Sequence, residues 1–520
     1  MTGHSVFVYW KNRPRAWVYL TVGSGSLALS QWLMVWTLSY GATALAVGQF
    51  GIAMAWLSPI FGLSGLQLRS LLATECDIEA SVSAYQTLFC IGLVVAMVLV
   101  LATVVIESGN PDLAYVVATA SLLKFAEAFA DYRYGMLLQA GRSLNIAVSQ
   151  CMRAVLAVVS FSATCWLTSN LIWALCVSGL LSLCAVWLVD YRMGRTKLAE
   201  STGSGATLAA DHVRLGQLHG SSGLLERVAR RLPLCALDQE RLSNLVFRAD
   251  LSSGAKERGR SEAARKWVPV LSLSAVAVPL SCVAFLNQSV LALPRLFLAQ
   301  FQSLEQVAAF TCLLSLLAPL LLAGSSYAAA RSPNYAMSSS SGWVEHLLKE
   351  VWSDVHGLLV VGMVVSLSFV WIGGDLMTLI FGEAYRPGVF TRVAAGGFVF
   401  CWSIAAVCGT AATASRQIAP QAAAFGVAFA ACLASGFFLV PRWGVAGAMW
   451  SLLSAGIVLM STYVLWFYRL RLAERASKPS RESKNQIEMQ MPNVAPKAEE
   501  PEWQVSKQIH ATVAYRKATG

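Results

Sequence analysis

Apolar stretches long enough to cross a bilayer recur about twelve times along this chain, and several of them contain charge. Inside lipid a segment must satisfy its own backbone hydrogen bonds, and a helix does so unaided. The recurrence predicts an all-α polytopic membrane protein. The predicted spans are 16–39, 42–65, 85–106, 113–138, 144–167, 170–190, 267–290, 304–326, 354–375, 389–412, 418–440 and 443–468. Only 13% of residues are charged, against about a quarter in a soluble domain. The net charge of +11 raises nucleic acid as a partner. The basic residues lie between and after the spans, however, as in loops beside anionic lipid. Membrane lipid is therefore the expected partner, and nucleic acid is not.

Lysine and arginine also set the orientation. The presumed outer connections 1–2, 3–4 and 5–6 contain neither, and the presumed outer connections of the second half, with their flanking span ends, contain only Arg295, Arg386, Arg392 and Arg442. Both termini are expected in the cytoplasm. Lys11, Arg13 and Arg15 precede a first apolar run too long for a signal-peptide core, so it is read as a retained span. Four regions follow. Residues 1–190 form a six-helix bundle, 191–266 a basic cytoplasmic linker, 267–470 a second six-helix bundle, and 471–520 a disordered cytoplasmic tail. The linker holds 14 basic and 8 acidic residues; it is too long for that total to report sidedness, but its flanks, Arg192, Arg195 and Lys197 on one side and Arg260, Arg265 and Lys266 on the other, point to the cytoplasm. Within it Leu224, Leu225, Val228 and Leu232 share one helical face. That face fits a helix on the inner leaflet or a solvated linker helix equally well.

The two bundles show a weak repeat. Val47-Gly48-Gln49-Phe50 followed by Leu57-Ser58-Pro59 matches Val307-Ala308-Ala309-Phe310 followed by Leu317-Ala318-Pro319. Ala140-Gly141-Arg142 resembles Ala414-Ser415-Arg416, and Tyr191-Arg192 resembles Tyr468-Arg469. Six spans return the chain to its starting side, so the halves are expected to be parallel, pseudo-symmetric repeats. Transporters built this way carry their substrate path between the halves.

Charge inside a span is expensive, so it marks a face that meets other helices or water. In span 4, Lys124, Glu127 and Asp131 are spaced i, i+3, i+7 and share one face. Arg153 in span 5 lies at a depth close to that of Glu127, so an ion pair between them is expected. Two readings fit. The charges neutralise one another and fix helix packing, or they line a cavity. In the second reading Lys124 and Arg153 attract an anionic group such as pyrophosphate, and Glu127 or Asp131 takes up a proton or sodium ion to couple transport to a gradient. Arg69, after span 2, and Arg295, before span 8, are snorkelling anchors or substrate contacts. Arg142 and Arg416 are read as topology anchors.

Other chemistries find little support. The chain has no P-loop, H-E-x-x-H or G-x-S-x-G sequence. Its 12 cysteines include no C-x-x-C pair, and most lie in spans as small packing residues. The histidines fall in loops, tails or span ends. No metal, no cofactor and no enzyme activity are expected. A polysaccharide polymerase or ligase would need catalytic groups on outer loops, where the chain offers few: Arg386, Arg392, Asp375 and Glu383.

Several segments are similar to bacterial polysaccharide flippases of the multidrug/oligosaccharidyl-lipid/polysaccharide exporter (MOP) superfamily. Phe61 to Glu75 (FGLSGLQLRSLLATE) resembles the end of their second span. Lys124-Phe125-Ala126-Glu127 through Asp131, then Tyr134-Gly135 and Gln139, resembles their fourth. Phe381-Gly382-Glu383-Ala384-Tyr385 looks like their F-G-x-x-Y element, and Trp443-Gly444-Val445-Ala446-Gly447-Ala448 like the W-G-x-x-G-A start of their final span. The resemblance implies two six-helix bundles with alternating access in the bacterial inner membrane. It also implies a cationic cavity, here Lys124 and Arg153, and a polyprenyl-diphosphate-linked oligosaccharide as cargo. Polymerase and chain-length or export proteins are the implied partners. A drug/cation antiporter of the same superfamily is the nearest alternative. The long linker departs from the family pattern.

Overall fold

The computed structural model describes residues 15–69, 71, 82–139, 142–190, 262–340, 344–415 and 417–477. The proposed linker helix, Arg416 and most of the tail fall outside them. Met1–Tyr468 is one compact unit and Arg469–Gly520 a second, whose described part is helical. Twelve helices among the described residues are long and apolar enough to cross a membrane. They are α1 (Arg15–Gly41), α2 (Ala44–Ser64), α3 (Val82–Ile106), α4 (Pro111–Gln139), α5 (Ser143–Thr168), α6 (Leu171–Ala185), α7 (Glu262–Phe301), α8 (Leu304–Ser340), α9 (Val344–Phe381) and α10 (Val389–Ala414). A continuous helical run then divides into α11 (Ile418–Trp443) and α12 (Val445–Leu472). Turns 1–2, 3–4, 5–6, 7–8, 9–10 and 11–12 lie at one face, here the far face. The opposite helix ends lie at the near face.

In lipid, helices associate through close packing and not through the hydrophobic effect, so small residues decide which helices touch. In the first half, Gly23 on α1 abuts Gln150 and Ala147 on α5, and Gly179 on α6 abuts Leu122 on α4. In the second half, Gly324 on α8 meets Ser403 on α10, and Gly436 on α11 meets the Phe297 ring on α7. The outward surfaces of α3 and α9 are apolar, with Val98, Leu101 and Val105 on one and Val360, Val364 and Trp371 on the other exposed. These surfaces suit contact with lipid.

The predicted repeat is visible in the turns. At 1–2, Ala46 N and Val47 N donate to Thr43 O at 3.0 and 3.3 Å. At 7–8, Gln306 N and Val307 N donate to Ser303 O at the same two distances. Near-face turns 4–5 and 10–11 also match, with Arg142 N to Leu137 O and Gln417 N to Ala412 O both at 2.9 Å. Arg142 thus corresponds to Gln417, one residue beyond the Arg416 that the sequence match selects.

The quoted glycine motifs have mechanical causes. Gly444 has φ 52 and ψ −125 and reverses the chain between α11 and α12. A side chain there is strained, and its Cβ would collide with Gln306. Gln302 Nε2 donates to Pro441 O at 3.0 Å and fastens this turn to the 7–8 turn. Gly382, with φ 95, ends α9 in the same manner.

The halves meet mainly along α2. At the far face, a Cβ on Gly48 would lie 2.4 Å from Leu304 O, and one on Gly51 would lie 2.2 Å from Thr311 Oγ1, both on α8. Tyr40 OH donates to Leu379 O at 3.5 Å, and Trp32 packs edge-on against Phe381. At the near end, Leu68, Tyr85, Leu88 and Phe89 cluster with Val270 and Ala277 of α7.

Candidate functional site

α4 is held by aromatic contacts on one side and charged contacts on the other. Phe125 packs on Phe61 of α2, and Phe129 and Tyr132 pack on Phe89 of α3. This turns Lys124, Glu127, Asp131 and Tyr134 toward α1, α5 and the end of α2. At 1.5 Å per residue, Asp131 lies about 12 Å and Lys124 about 23 Å from the near end of α4. The group reaches the middle of a core about 30 Å thick.

Lys124 Nζ donates to Glu127 Oε2 at 2.7 Å, and Gln31 Nε2 on α1 donates to Glu127 Oε1 at 3.1 Å. The expected Glu127–Arg153 pair does not form. The i, i+3 lysine on the same helix reaches the carboxylate without crossing to α5. Arg153, 5% exposed, donates instead to Tyr134 OH at 3.4 Å, and that hydroxyl lies 2.9 Å from Ser149 Oγ. No ion pair among the described residues includes Arg153.

Arg69 is brought in by an unusual backbone. Helix α2 ends at Gly65, and Leu66 and Gln67 then adopt φ 50 and 47. Left-handed conformation costs roughly 1–2 kcal/mol per ordinary residue, so surrounding contacts must hold the turn. Leu66 and Leu68 pack in the near-face cluster with α3 and α7. The turn aims Arg69 Nη1 at Asp131 Oδ1, 3.2 Å away. Its guanidinium carbon lies 5.6 Å from the Tyr134 ring centroid, and that of Arg153 lies 6.0 Å from the same centroid. Tyr134 therefore spaces two cations. The Asp131 side chain is 57% exposed.

Arg295 requires a correction. It lies inside α7, six residues before the helix ends at Phe301, and not in the connection ahead of α8. Membrane helices tolerate internal proline, so Pro294 does not stop α7, and the turn falls at Gln302–Ser303. The Arg295 Nε is buried without a hydrogen-bond partner, and no ion pair among the described residues includes this arginine.

The matching turns also show that the site is one-sided. Counting back from the shared turn at Arg142 and Gln417, the partners of Lys124, Glu127 and Asp131 are Val399, Trp402 and Ala406. The second half is apolar where the first is charged.

The outer residues weighed for enzyme chemistry are engaged with one another. Arg386 pairs with Asp375 at 2.9 Å and with Glu383 at 3.3 Å. Arg392 Nη1 donates to the carbonyls of Val370 and Trp371. No group of three or more potential metal ligands occurs among the described residues. Gln31 and Ser149 escape sequence reading because a lone polar residue in an apolar run carries no period.

No protein-family model and no curated protein sequence matches the chain. Solved structures do. A multidrug resistance MATE family transporter of the MOP superfamily, in its inward-facing conformation, aligns with TM-score 0.58 and 13% identity over 88% of this chain and 96% of that one. A MOP superfamily transporter from Pyrococcus furiosus, described as having a binding pocket of reverse polarity, aligns with TM-score 0.56 and 12% identity over 88% and 95%. A MATE transporter from Vibrio cholerae aligns with TM-score 0.52 and 13% identity over 91% and 98%. These likenesses establish the fold, the twelve-helix, two-bundle arrangement of those transporters.

Proposed function

We propose that this chain is a flippase that moves polyprenyl-diphosphate-linked oligosaccharide repeat units across the bacterial inner membrane by alternating access. The near face is then cytoplasmic, as are both termini. Residues 1–190 and 267–470 are the moving bundles, 191–266 is their linker and 471–520 is a tail. One observation carries the reading: the interior holds more cation than anion. Lys124 and Arg69 are matched by Glu127 and Asp131, whereas Arg153 and Arg295 are in no ion pair among the described residues. A buried guanidinium without a counter-charge is costly, and a diphosphate offsets that cost when it binds. Glu127 and Asp131 are the groups that take up a proton or sodium ion. Polymerase and chain-length or export proteins then act on the product.

A drug/cation antiporter is the second reading, favoured by the exposed Asp131 carboxylate and by the multidrug neighbours. Single substitutions separate the two. Under the flippase reading, Arg153→Ala and Lys124→Ala abolish surface polysaccharide and trap complete repeat units on the inner leaflet, while protein levels hold. Under the antiporter reading both variants still export, and Asp131→Asn loses drug resistance. Normal export by both cation variants would falsify the cationic site.

A further inference from the structure

A second polar cluster lies in the other half, away from α4. Tyr327, Arg331 and Tyr335 are spaced by four along α8 and share one face. All three donate to Asp354 on α9. Tyr327 OH reaches Oδ1 at 2.8 Å, while Arg331 Nε and Tyr335 OH reach Oδ2 at 2.8 and 2.6 Å. Asp354 is 5% exposed. Burial, then the adjacent carboxylate, carry the Tyr335 phenol well above its usual range, so it stays protonated and donates.

This arrangement does more than lock two helices. A guanidinium has five donors, and a carboxylate commonly takes two of them in a fork. Here Tyr327 occupies the second carboxylate oxygen, so Asp354 engages Arg331 through Nε alone. The Nη groups of Arg331 make no hydrogen bond to any described residue, and the side chain is 32% exposed. The buried carboxylate thus fixes the arginine and leaves its planar end free. Arg331 lies about 40 Å along α8 from Leu304, beyond a hydrocarbon core of about 30 Å, which is headgroup depth on the near face. Ala323 and Ala330, which share one flank of α8 next to Arg331, are small and exposed, so a headgroup can approach from that side.

We propose that Arg331, oriented by Asp354, is a docking site for a lipid phosphate at the near-face headgroup level, where the diphosphate of the cargo is captured before it reaches the α4–α5 site. The proposal rests on the flippase reading. The same chemistry is available from ordinary anionic phospholipid, so the test compares the two sources.

The full-length chain in phosphatidylcholine nanodiscs is titrated with farnesyl diphosphate, with and without phosphatidylglycerol, and binding is read by native mass spectrometry. Arg331→Ala should weaken binding about tenfold or more. Arg331→Gln, which keeps a donor for Asp354, guards against misfolding and should weaken it similarly. Arg331→Lys, with charge but no fork, should fall between. Arg386→Ala at the far face should bind like the parent. Unchanged binding by both neutral Arg331 variants overturns the docking site. If phosphatidylglycerol competes as well as farnesyl diphosphate, the site belongs to bulk lipid, and the proposal fails. If Arg331→Ala binds normally while Arg153→Ala does not, docking fails and the flippase reading stands. A parent chain that binds no farnesyl diphosphate counts against both.

Discussion

Under the alternating-access reading proposed above the far face must open, and in the structure α2 and α8 pack tightly there. A Cβ on Gly48 would lie 2.4 Å from the Leu304 carbonyl oxygen, closer than real contacts of this kind. The obstructing atom is backbone and cannot rotate away, so α2 and α8 must separate by roughly 0.6 Å or more. Overpacking of this kind costs about 1–3 kcal/mol, which shifts the ratio of far-closed to far-open molecules about 5- to 150-fold. The clash exists only where the helices touch, so the substitution opposes the closed state. A photoreactive benzoylphenylalanine in place of Tyr40, whose hydroxyl is 3.5 Å from Leu379 O, reports closure by cross-linking to α9. Gly48→Ala should lower the closed-to-open ratio inferred from that yield about fivefold or more. Gly51→Ala should act more weakly, because its obstacle is the Thr311 side chain, which can change rotamer. Gly25→Ala, with open space around it, should leave the yield unchanged. A parental yield from a normally folded Gly48→Ala protein, or an equal drop from Gly25→Ala, would refute the gate.

Further outcomes follow from the strained and buried positions. Gln67→Gly removes a side chain from a left-handed residue and should stabilise the detergent-solubilised protein by up to about 1 kcal/mol in thermal unfolding. Loss of stability would mean that the Gln67 side chain makes a needed contact. Gly444→Ala should cost about 2 kcal/mol or more, from backbone strain and collision with Gln306, seen as a lower unfolding temperature. Tyr134→Phe leaves Arg153 and Ser149 without their shared hydroxyl and should cost about 1–3 kcal/mol in the same assay, with export falling as the arginine loses its position. Full export at parental stability would show that Tyr134 does not position Arg153.

The spans were legible in the sequence because apolar runs of about twenty residues have few other uses. The face shared by Lys124, Glu127 and Asp131 was legible from helical spacing alone. Helix length was not. Span 8 was expected to stop at 326 and span 9 to begin at 354, yet α8 runs to Ser340 and α9 starts at Val344. Hydropathy falls at the membrane surface while the helices continue past it, so Arg331 and the first turns of α9 read as loop. Arg295 was misplaced because span 7 was ended at 290, whereas α7 runs on through Pro294 to Phe301. The Glu127–Arg153 pair failed for a different reason. Equal depth on neighbouring helices says nothing of rotation about their axes, and a lysine one turn away wins by proximity.

The one-sidedness of the charged cluster has an electrical consequence. Arg69, Lys124, Arg133 and Arg153 against Glu127 and Asp131 leave this part of the first half with two surplus positive charges, whereas the counterpart positions of the second half carry none and its buried Arg295 adds one. A charge that crosses the whole membrane potential does work of about 2.3 kcal/mol per 100 mV. If the halves tilt as the proposed alternating access requires, the first carries more charge through that drop than the second. Under that reading the two openings are unequal in energy across an energised membrane, and membrane voltage biases which of them is populated.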